Sequence, residues 1–413
     1  MSTWNYIDLF SGAGGLSEGF IRQGFSPVAH VEFDKAACFT LKTRVAFHYL
    51  SGTGKEDLYY SYIKGDISRG QLYAHIPQAL LKSVINAEIG KDNKKIFNTV
   101  DSLLGSKSVD LIIGGPPCQA YSRIGIPALK HKDEDNRTKL YVQYGRFLNK
   151  YNPKIFIFEN VPGILSAANG QYFRNLKKYY KRLGYDVEAK LLNAHDYSVI
   201  QNRVRVIIIG WQKKLNLKYP EIEQSANYYS RDDIFYDLPA IHPGENKRFH
   251  YYTSEINEYL KLSSIRNGVP FVSQHITRPH NRKDLNIYKL AINKLREGGR
   301  LKNDQIPAKM RTQQNITDFL DRFKVVDKTP HTMIAHIAKD GHHFIHPDIK
   351  QLRSISVREA ARIQSFSDDY YFEGISEDQS RSAAFRQIGN AVPPLMAQGL
   401  ANKIMDILNA YCF

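Results

Sequence analysis

The segment Tyr6-Ile7-Asp8-Leu9-Phe10-Ser11-Gly12-Ala13-Gly14-Gly15-Leu16 decides the fold. An apolar run of strand character, Tyr6–Phe10, ends in a glycine-rich turn, and a helical pattern, Leu16–Gln23, starts directly after it. Glycine in such a turn permits tight bending and a close approach of the backbone to a ligand. The alternation continues outward. Val28–Phe33 reads as a second strand, Ala36–Ala46 as helix, and the segment near Ile63–Ile67 as a third strand. Val109–Ile113 and Ile155–Phe158 are two more strands. Tyr172–Leu183 reads as a helix capped by Gly184, and Val187–Leu192 and Val204–Trp211 as a late hairpin. Repeated strand–helix alternation predicts a doubly wound α/β sheet over residues 1–212. Residues 71–108, with Lys91–Lys95 and no clear apolar face, read as a surface insertion.

From 213 to 352 the alternation fades. This stretch carries 23 Lys and Arg against 16 Asp and Glu. It reads as a smaller, mixed and basic second domain inserted near the end of the first. Residues 353–413 return to amphipathic helix at Val357–Gln364 and Leu395–Leu408. The net charge of +16 over 413 residues favours a polyanionic partner, nucleic acid first. The three cysteines, Cys38, Cys118 and Cys412, lack zinc spacing, so no metal site is expected. No segment approaches a membrane span or a secretory signal, and the expectation is a cytoplasmic protein.

Ligand-suitable groups cluster at strand ends. Glu32 closes the second strand, where an acid accepts hydrogen bonds from ribose hydroxyls. Asp66 is read as the end of the third strand, placed to accept from an adenine amino group. Ser17 stands where the dinucleotide fingerprint has its third glycine. Together these features point to a nucleoside cofactor without choosing between nicotinamide and S-adenosylmethionine. Two further segments carry reactive groups: Gly114-Gly115-Pro116-Pro117-Cys118-Gln119 and Glu159-Asn160-Val161. Each follows a strand, so a thiol and a carboxyl group at neighbouring strand ends can face one substrate.

In order along the chain, these motifs are followed by Gln201-Asn202-Arg203-Val204-Arg205, Arg358-Glu359-Ala360-Ala361-Arg362-Ile363-Gln364-Ser365-Phe366 and Gln387-Ile388-Gly389-Asn390-Ala391-Val392-Pro393-Pro394. Six motifs in this order resemble the DNA (cytosine-5)-methyltransferase family, of the bacterial type II modification kind, everywhere except the middle module. The resemblance implies a Rossmann-like S-adenosylmethionine-dependent methyltransferase domain with a target-recognition domain at 213–352. It implies Cys118 as nucleophile toward cytosine C6, Glu159 as the group that bonds to or protonates N3, and Arg205, with Arg203 beside it, as the anchor of O2. It also implies a cofactor site built from Phe10, Gly12, Ala13, Gly14, Gly15, Glu32, Asp66, Pro117, Leu140, Asn390 and Val392.

The implied partner is double-stranded DNA, with the target base flipped into the pocket. Gln119–Lys139 is the expected closing loop, with Arg123, Lys130 and Lys132 as DNA contacts. Arg278, Arg282, Lys283, Arg311, His331 and Thr332 are the candidates in the middle module. A cognate restriction endonuclease acting on the same site is a possible functional partner, and a monomer is expected. Two alternatives are a tRNA-directed cytosine-5 methyltransferase of the same fold and an inactive DNA-binding relative. The Cys38-Phe39-Thr40 triplet that would favour the first lies outside the recognition module. Intact Cys118, Glu159 and Arg205 argue against the second.

Overall fold

The computed structural model describes residues 4–117, 140–225, 228–311 and 322–411. The first 212 residues comprise β1 (Asn5–Leu9), α1 (Gly15–Arg22), β2 (Ser26–Glu32), α2 (Lys35–Gly52), α3 (Glu56–Lys64), α4 (Arg69–Ala74), α5 (Gln78–Lys82), β3 (Val84–Asn86), α6 (Asn93–Leu104) and β4 (Leu111–Gly114). Then come α7 (Leu140–Tyr151), β5 (Ile155–Asn160), α8 (Gly163–Ser166), α9 (Gln171–Arg182), β6 (Tyr185–Asn193) and β7 (Val204–Gln212). The seven strands form one sheet in the order β3-β2-β1-β4-β5-β7-β6. All pairings are parallel except those of β7, which runs antiparallel to β5 and β6. This is the α/β class expected from the alternation, and the late hairpin is present as β6–β7.

Burial of both sheet faces builds a three-layer sandwich, because alternate residues of a strand face opposite sides. Tyr6, Ile113, Ile157 and Ile209 point to the layer containing Phe20 of α1 and Met396, Leu400 and Ile404 near the C-terminus. Ile7, Ile112, Phe156 and Ile208 point to the other layer, formed by α6, α7 and α9. Strand order reverses between β1 and β4, so the crevice expected at a topological switch point lies outside their carboxyl ends. Leu9, Gly114 and Phe158 are in register across β1, β4 and β5. The Gly-rich turn, the Pro-Pro segment and Glu159 therefore leave the sheet at the same level.

Two readings of the sequence are corrected. Ile63–Ile67 is not a strand: buried Tyr59, Tyr62 and Ile63 recur at helical spacing, and α3 ends at Gly65 with φ +91°. Asp66 is exposed beyond that helix and closes no strand. The third strand is Val84–Asn86, which pairs with β2 so that Asn86 stands beside Glu32. Residues 71–108 are accordingly not a surface insertion, since they contain β3 and the core helix α6. The elaboration between β2 and β3 is α3–α5. It packs against Val269 and Phe271 from the middle of the chain.

The remaining elements are α10 (Arg231–Phe235), β8 (Phe249–His250), α11 (Glu258–Leu262), β9 (Val272–Ser273) and α12 (Arg282–Arg296), then α13 (Val357–Ile363), α14 (Arg381–Asn390) and α15 (Pro394–Ala410). Ile287, Tyr288, Ile292, Phe323 and Ile345 form a core around α12. A second core joins Ile234, Leu260, Ile276 and Met333 to Val357, Ile363, Phe366 and Phe385. Helix α15 docks against α1 and completes the first sheet layer.

A Cβ on Gly114 would lie 2.3 Å from the Leu9 carbonyl oxygen, backbone that cannot yield without breaking the β1–β4 register. Gly114→Ala is expected to destabilise the fold by about 1–3 kcal/mol, as overpacking does. Urea unfolding monitored by circular dichroism checks this.

Candidate active site

The site begins with two glycine-rich exits from the sheet. In the first, Gly12 (φ +54°) and Gly14 (φ +85°) hold conformations that side-chain-bearing residues avoid, and Gly14 caps α1. A Cβ on Gly15 would lie 2.3 Å from the Val392 carbonyl oxygen. The C-terminal segment thus closes directly onto this turn. Tyr370 donates its hydroxyl hydrogen to the Ala13 carbonyl and fixes the turn from behind. A Cβ placed on Gly12 meets nothing within 4 Å, so the outer face of the turn is open.

Glu32, at the end of β2, is oriented toward this turn. Its Oε2 accepts from the Gly12 N–H at 2.8 Å and its Oε1 from the Asp34 N–H at 2.8 Å. Burial raises the pKa of this carboxyl, while the two backbone donors pull it down. Phe33 follows with 66% of its surface exposed, an unusual state for so large an apolar group. Phe10 is half-buried at the start of the turn with φ +55°. Asn390 is exposed at the end of α14, and Leu140 opens α7. Arg386 on α14 pairs with Asp34 at 2.9 Å and ties the two walls of the cleft together.

The second exit is Gly114–Pro117, beside the end of β5. Glu159 lies against it so closely that a Cβ on Gly115 would sit 2.7 Å from its Oε2. Asn160 Nδ2 donates to the Pro116 carbonyl at 3.1 Å, and the Asn160 side-chain oxygen accepts from the Val161 N–H. The Asn of the Glu-Asn-Val motif therefore fastens the Pro-Pro turn to β5. Pro117 is exposed at the rim. Cys118 lies outside the described residues, as do Arg123, Lys130 and Lys132.

Arg205, near the start of β7, pairs with Glu159 through Nε and Oε1 at 3.0 Å, and each side chain keeps 12% exposure. Its Nη1 donates to the Val204 carbonyl. Burial pushes the Glu159 carboxyl above the usual carboxylate range, against the opposing charges of Arg205 and Arg203. The arrangement thus presents a carboxyl group and a guanidinium side by side at the mouth of the crevice.

Arg203 belongs elsewhere. It is fully buried, with Nη1 donating to the Met333 carbonyl and Nη2 to the carbonyls of Gly389 and Ala391. It reaches no substrate-facing surface and acts through position, which corrects its assignment as a group touching substrate. Asp66 follows α3 and ends no strand, and Asn86 is the residue next to Glu32.

Among the recognition candidates, several are committed to backbone. Arg278 donates to the carbonyls of Ile337 and Ala338, Arg311 to those of Ile306 and Asp304, and Thr332 to that of Asn202. His331 stacks on Phe344 at 4.6 Å, and burial lowers its pKa to about 4. Arg282 and Lys283 are exposed in the first turn of α12. Phe33 and Gln201 escaped the sequence reading. An aromatic directly after a strand-end acid was the available signal for Phe33. Nothing local signals that Gln201 bonds Met333 N–H, the Ile363 carbonyl and Gln364.

Among the described residues, no helix is long and apolar enough to cross a membrane. Arg203→Met is expected to strip the Met333 and Gly389 carbonyls of this donor and leave Ala391 only the longer bond from Gln364, at a cost on the order of 3 kcal/mol or more. Arg205→Met should change stability far less. Denaturant midpoints of the two variants provide the check, and equal midpoints would contradict the assignment of Arg203.

The family model for C-5 cytosine-specific DNA methylase matches residues 4–58 and 63–406. The type II methyltransferase M.Bpa9945I of Bacillus paralicheniformis is 39% identical, the match covering 98% of this chain and 99% of that protein. The type II methyltransferase M.DdeI of Desulfomicrobium norvegicum is 30% identical, over 97% of this chain and 88% of its own. The fold matches that of a putative DNA modification methyltransferase encoded within an E. coli prophage, with TM-score 0.65 and 24% identity over 98% of this chain and all of that one. With a Gly turn, a Pro-Pro turn and a Glu–Arg pair assembled at the carboxyl ends of β1, β4 and β5, the chain belongs to the C-5 cytosine-specific DNA methylase family and is a type II DNA (cytosine-5)-methyltransferase.

Proposed function

We propose that the chain moves the methyl group of S-adenosylmethionine to C5 of a cytosine flipped out of duplex DNA, through a transient bond between Cys118 and C6. The observation that carries this reading is the Glu159–Arg205 pair set against the Gly115–Pro117 turn, one strand from the turn that Glu32 faces. The cofactor cleft fits a nucleoside. Glu32 offers carboxylate oxygens for ribose hydroxyls, exposed Phe33 and half-buried Phe10 offer faces for adenine, and the open face of Gly12 accommodates close approach. Val392 and Asn390 close the far wall, with Leu140 and Pro117 at the rim. When bound, S-adenosylmethionine supplies an electrophilic methyl group.

The residues divide the remaining work. Cytosine C5 is a poor nucleophile, and addition of the Cys118 thiolate to C6 makes the ring an enamine, whose C5 would take the methyl group as the methyl–sulfonium bond breaks and the sulfur leaves as a neutral thioether. Glu159, protonated more readily than a solvated carboxyl, delivers a hydrogen bond or proton to N3 as charge develops there. Arg205 donates to O2. Loss of the C5 proton to a base then expels the Cys118 thiolate and restores the ring. Residues 213–352 serve as the target-recognition domain, with Arg282 and Lys283 its exposed candidates for DNA contact and Gln119–Lys139 as the candidate closing loop. In this reading the enzyme works in the cytoplasm as a monomer that shields DNA from a cognate endonuclease.

Transfer of labelled methyl from S-adenosylmethionine to DNA, with bisulfite sequencing of the product, tests the reaction. Cys118→Ala is expected to abolish it while cofactor binding persists. Duplex carrying 5-fluorocytosine at the target should trap an adduct at Cys118, because fluorine cannot leave as a proton. An adduct mapped to Cys38 would overturn the nucleophile assignment. A pH series adds a second check. Glu159 is protonated below its raised pKa and ionised above it, so turnover should fall as pH rises through that value. Glu159→Gln, which carries N–H donors at every pH, should be slower and lose that descending limb.

A further inference from the structure

Helix α9 has the sequence Gln-Tyr-Phe-Arg-Asn-Leu-Lys-Lys-Tyr-Tyr-Lys-Arg: five cations and no acid. At 100° per residue, Arg174, Lys177, Lys178, Lys181 and Arg182 fall within an arc of roughly 140°. All five are exposed, while Tyr172, Leu176 and Tyr180 are buried on the opposite side. Among the described residues none of the five pairs with a carboxylate. Arg174 bonds only Gln171 and the Asn169 carbonyl, and Lys177 lies over the Phe173 ring. Other lysines of the same domain are neutralised: Lys150 by Asp101, Lys154 by Asp110 and Lys190 by Glu221.

Neighbouring elements extend the charge instead of cancelling it. Exposed Arg146 of α7 lies close enough to influence Tyr179 of α9. Lys213 donates its ammonium to the Lys181 carbonyl at 2.9 Å, which places a further cation at the end of the helix. The helix is rigidly seated, because a Cβ on Gly145 of α7 would meet the Tyr179 ring at 2.2 Å, so the two helices are in close contact. It begins just past α8, at the end of the sheet where Glu159 lies, and runs back toward β6. A 12-residue helix is about 18 Å long, and duplex DNA presents a charge about every 1.7 Å along its axis. The stripe therefore matches several phosphates.

We infer that this face of α9 is a second DNA-contacting surface, separate from the recognition module, that holds duplex flanking the target or lacking a target through phosphates alone. The inference rests on the DNA methyltransferase reading and adds to it a sequence-independent handhold. Its function is retention: contacts that release counterions without reading bases let a protein slide and hop along DNA.

The probe is alternating poly(dA–dT) duplex, which has no cytosine and so no target. Binding of the full chain is measured by fluorescence anisotropy across a NaCl series. Each lost phosphate contact lowers the slope of log K against log salt by about 0.9. The variant Lys177→Ala/Lys178→Ala/Lys181→Ala/Arg182→Ala is expected to reduce the slope by about 2 or more, with an unchanged melting temperature. Replacing the three lysines by arginine should keep the wild-type slope. Single-turnover methylation of a short duplex at saturating concentration should be unaffected by the fourfold variant. An unchanged slope overturns the inference, and so does equal loss of binding to neutral phosphatidylcholine vesicles and to DNA. A preference of the wild-type face for phosphatidylserine vesicles over poly(dA–dT) also overturns it. Should wild-type protein methylate cytosine-containing DNA yet fail to bind poly(dA–dT), the second surface falls while the enzymatic reading stands.

Discussion

The guanidinium of Arg203 is the tie on which the site depends. Three segments distant in sequence meet at it: the start of β7, the end of the middle module at Met333, and the end of α14 at Gly389 and Ala391. The last two are held through backbone carbonyls, which have no rotamer to escape into. Gln201 repeats the connection two residues earlier, joining Met333 to Ile363 and Gln364. Asn202 adds a backbone bond to the Pro330 carbonyl and accepts from Thr332. One short stretch thereby couples the end of α14, the start of β7 and the second module. A buried charge is stable only when its donors are satisfied, and here the geometry that satisfies them is the assembled site itself.

The same economy of charge organises the second module. Arg353 forms a two-point pair with Glu359, whose carboxyl is held far below its ordinary range by that neighbour despite burial. Arg362 bridges Asp237 and Asp368, and Arg358 donates to the carbonyls of Ser273, Ser367 and Tyr370. These arginines sit on or beside α13 and are fully buried. Charged pairs in a core contribute less to stability than apolar packing of equal volume, but removing one partner is costly. Such a network favours one docking of the module over nearby alternatives. That is the property a recognition surface needs if it is to hold DNA in register with a pocket built on another part of the chain.

The catalytic sheet was legible because its strands are continuous apolar runs ended by Gly or acid, the pattern of strands buried on both faces. Leu111–Ile113 and Ile155–Phe158 show it, and Tyr6–Leu9 departs from it only by the buried Asp8 and by reaching its glycine three residues later. The third strand was missed for a physical reason. Val84–Asn86 is only three residues long, sits at the sheet edge, and follows the apolar Leu80 and Leu81, which belong to a helix. The Gly-Asp-Ile segment at 65–67 drew the assignment instead, although its glycine is there to end α3. Glu32, Glu159 and Arg205 were legible from strand ends and motif order. The structural role of Arg203 was not, because the sequence shows an arginine two residues from another and cannot show which one faces inward. In a strand the two should share a face. Arg203, however, precedes β7 and lies outside its alternation, which begins at Val204.

That difference bears on how the base would be read in the proposed reaction. Glu159 and Arg205 pair with each other at 3.0 Å, so neither is left as a lone charge in a half-buried crevice. A cytosine entering between them can replace this contact on both sides: its N3 accepts from a protonated Glu159 and its O2 accepts from Arg205. Thymine presents an N3–H where cytosine presents a lone pair, so the same protonated carboxyl would face a donor and lose its bond. The raised pKa of Glu159 then serves discrimination as well as catalysis, since an unpaired buried polar group costs roughly 1–3 kcal/mol. Arg203 enters this balance only as a fixed positive charge behind the carboxyl, limiting how far burial can raise its pKa. A neutral residue at that position would both loosen the three-way tie and push Glu159 further toward its protonated form. The structural and chemical consequences of the one guanidinium are therefore inseparable.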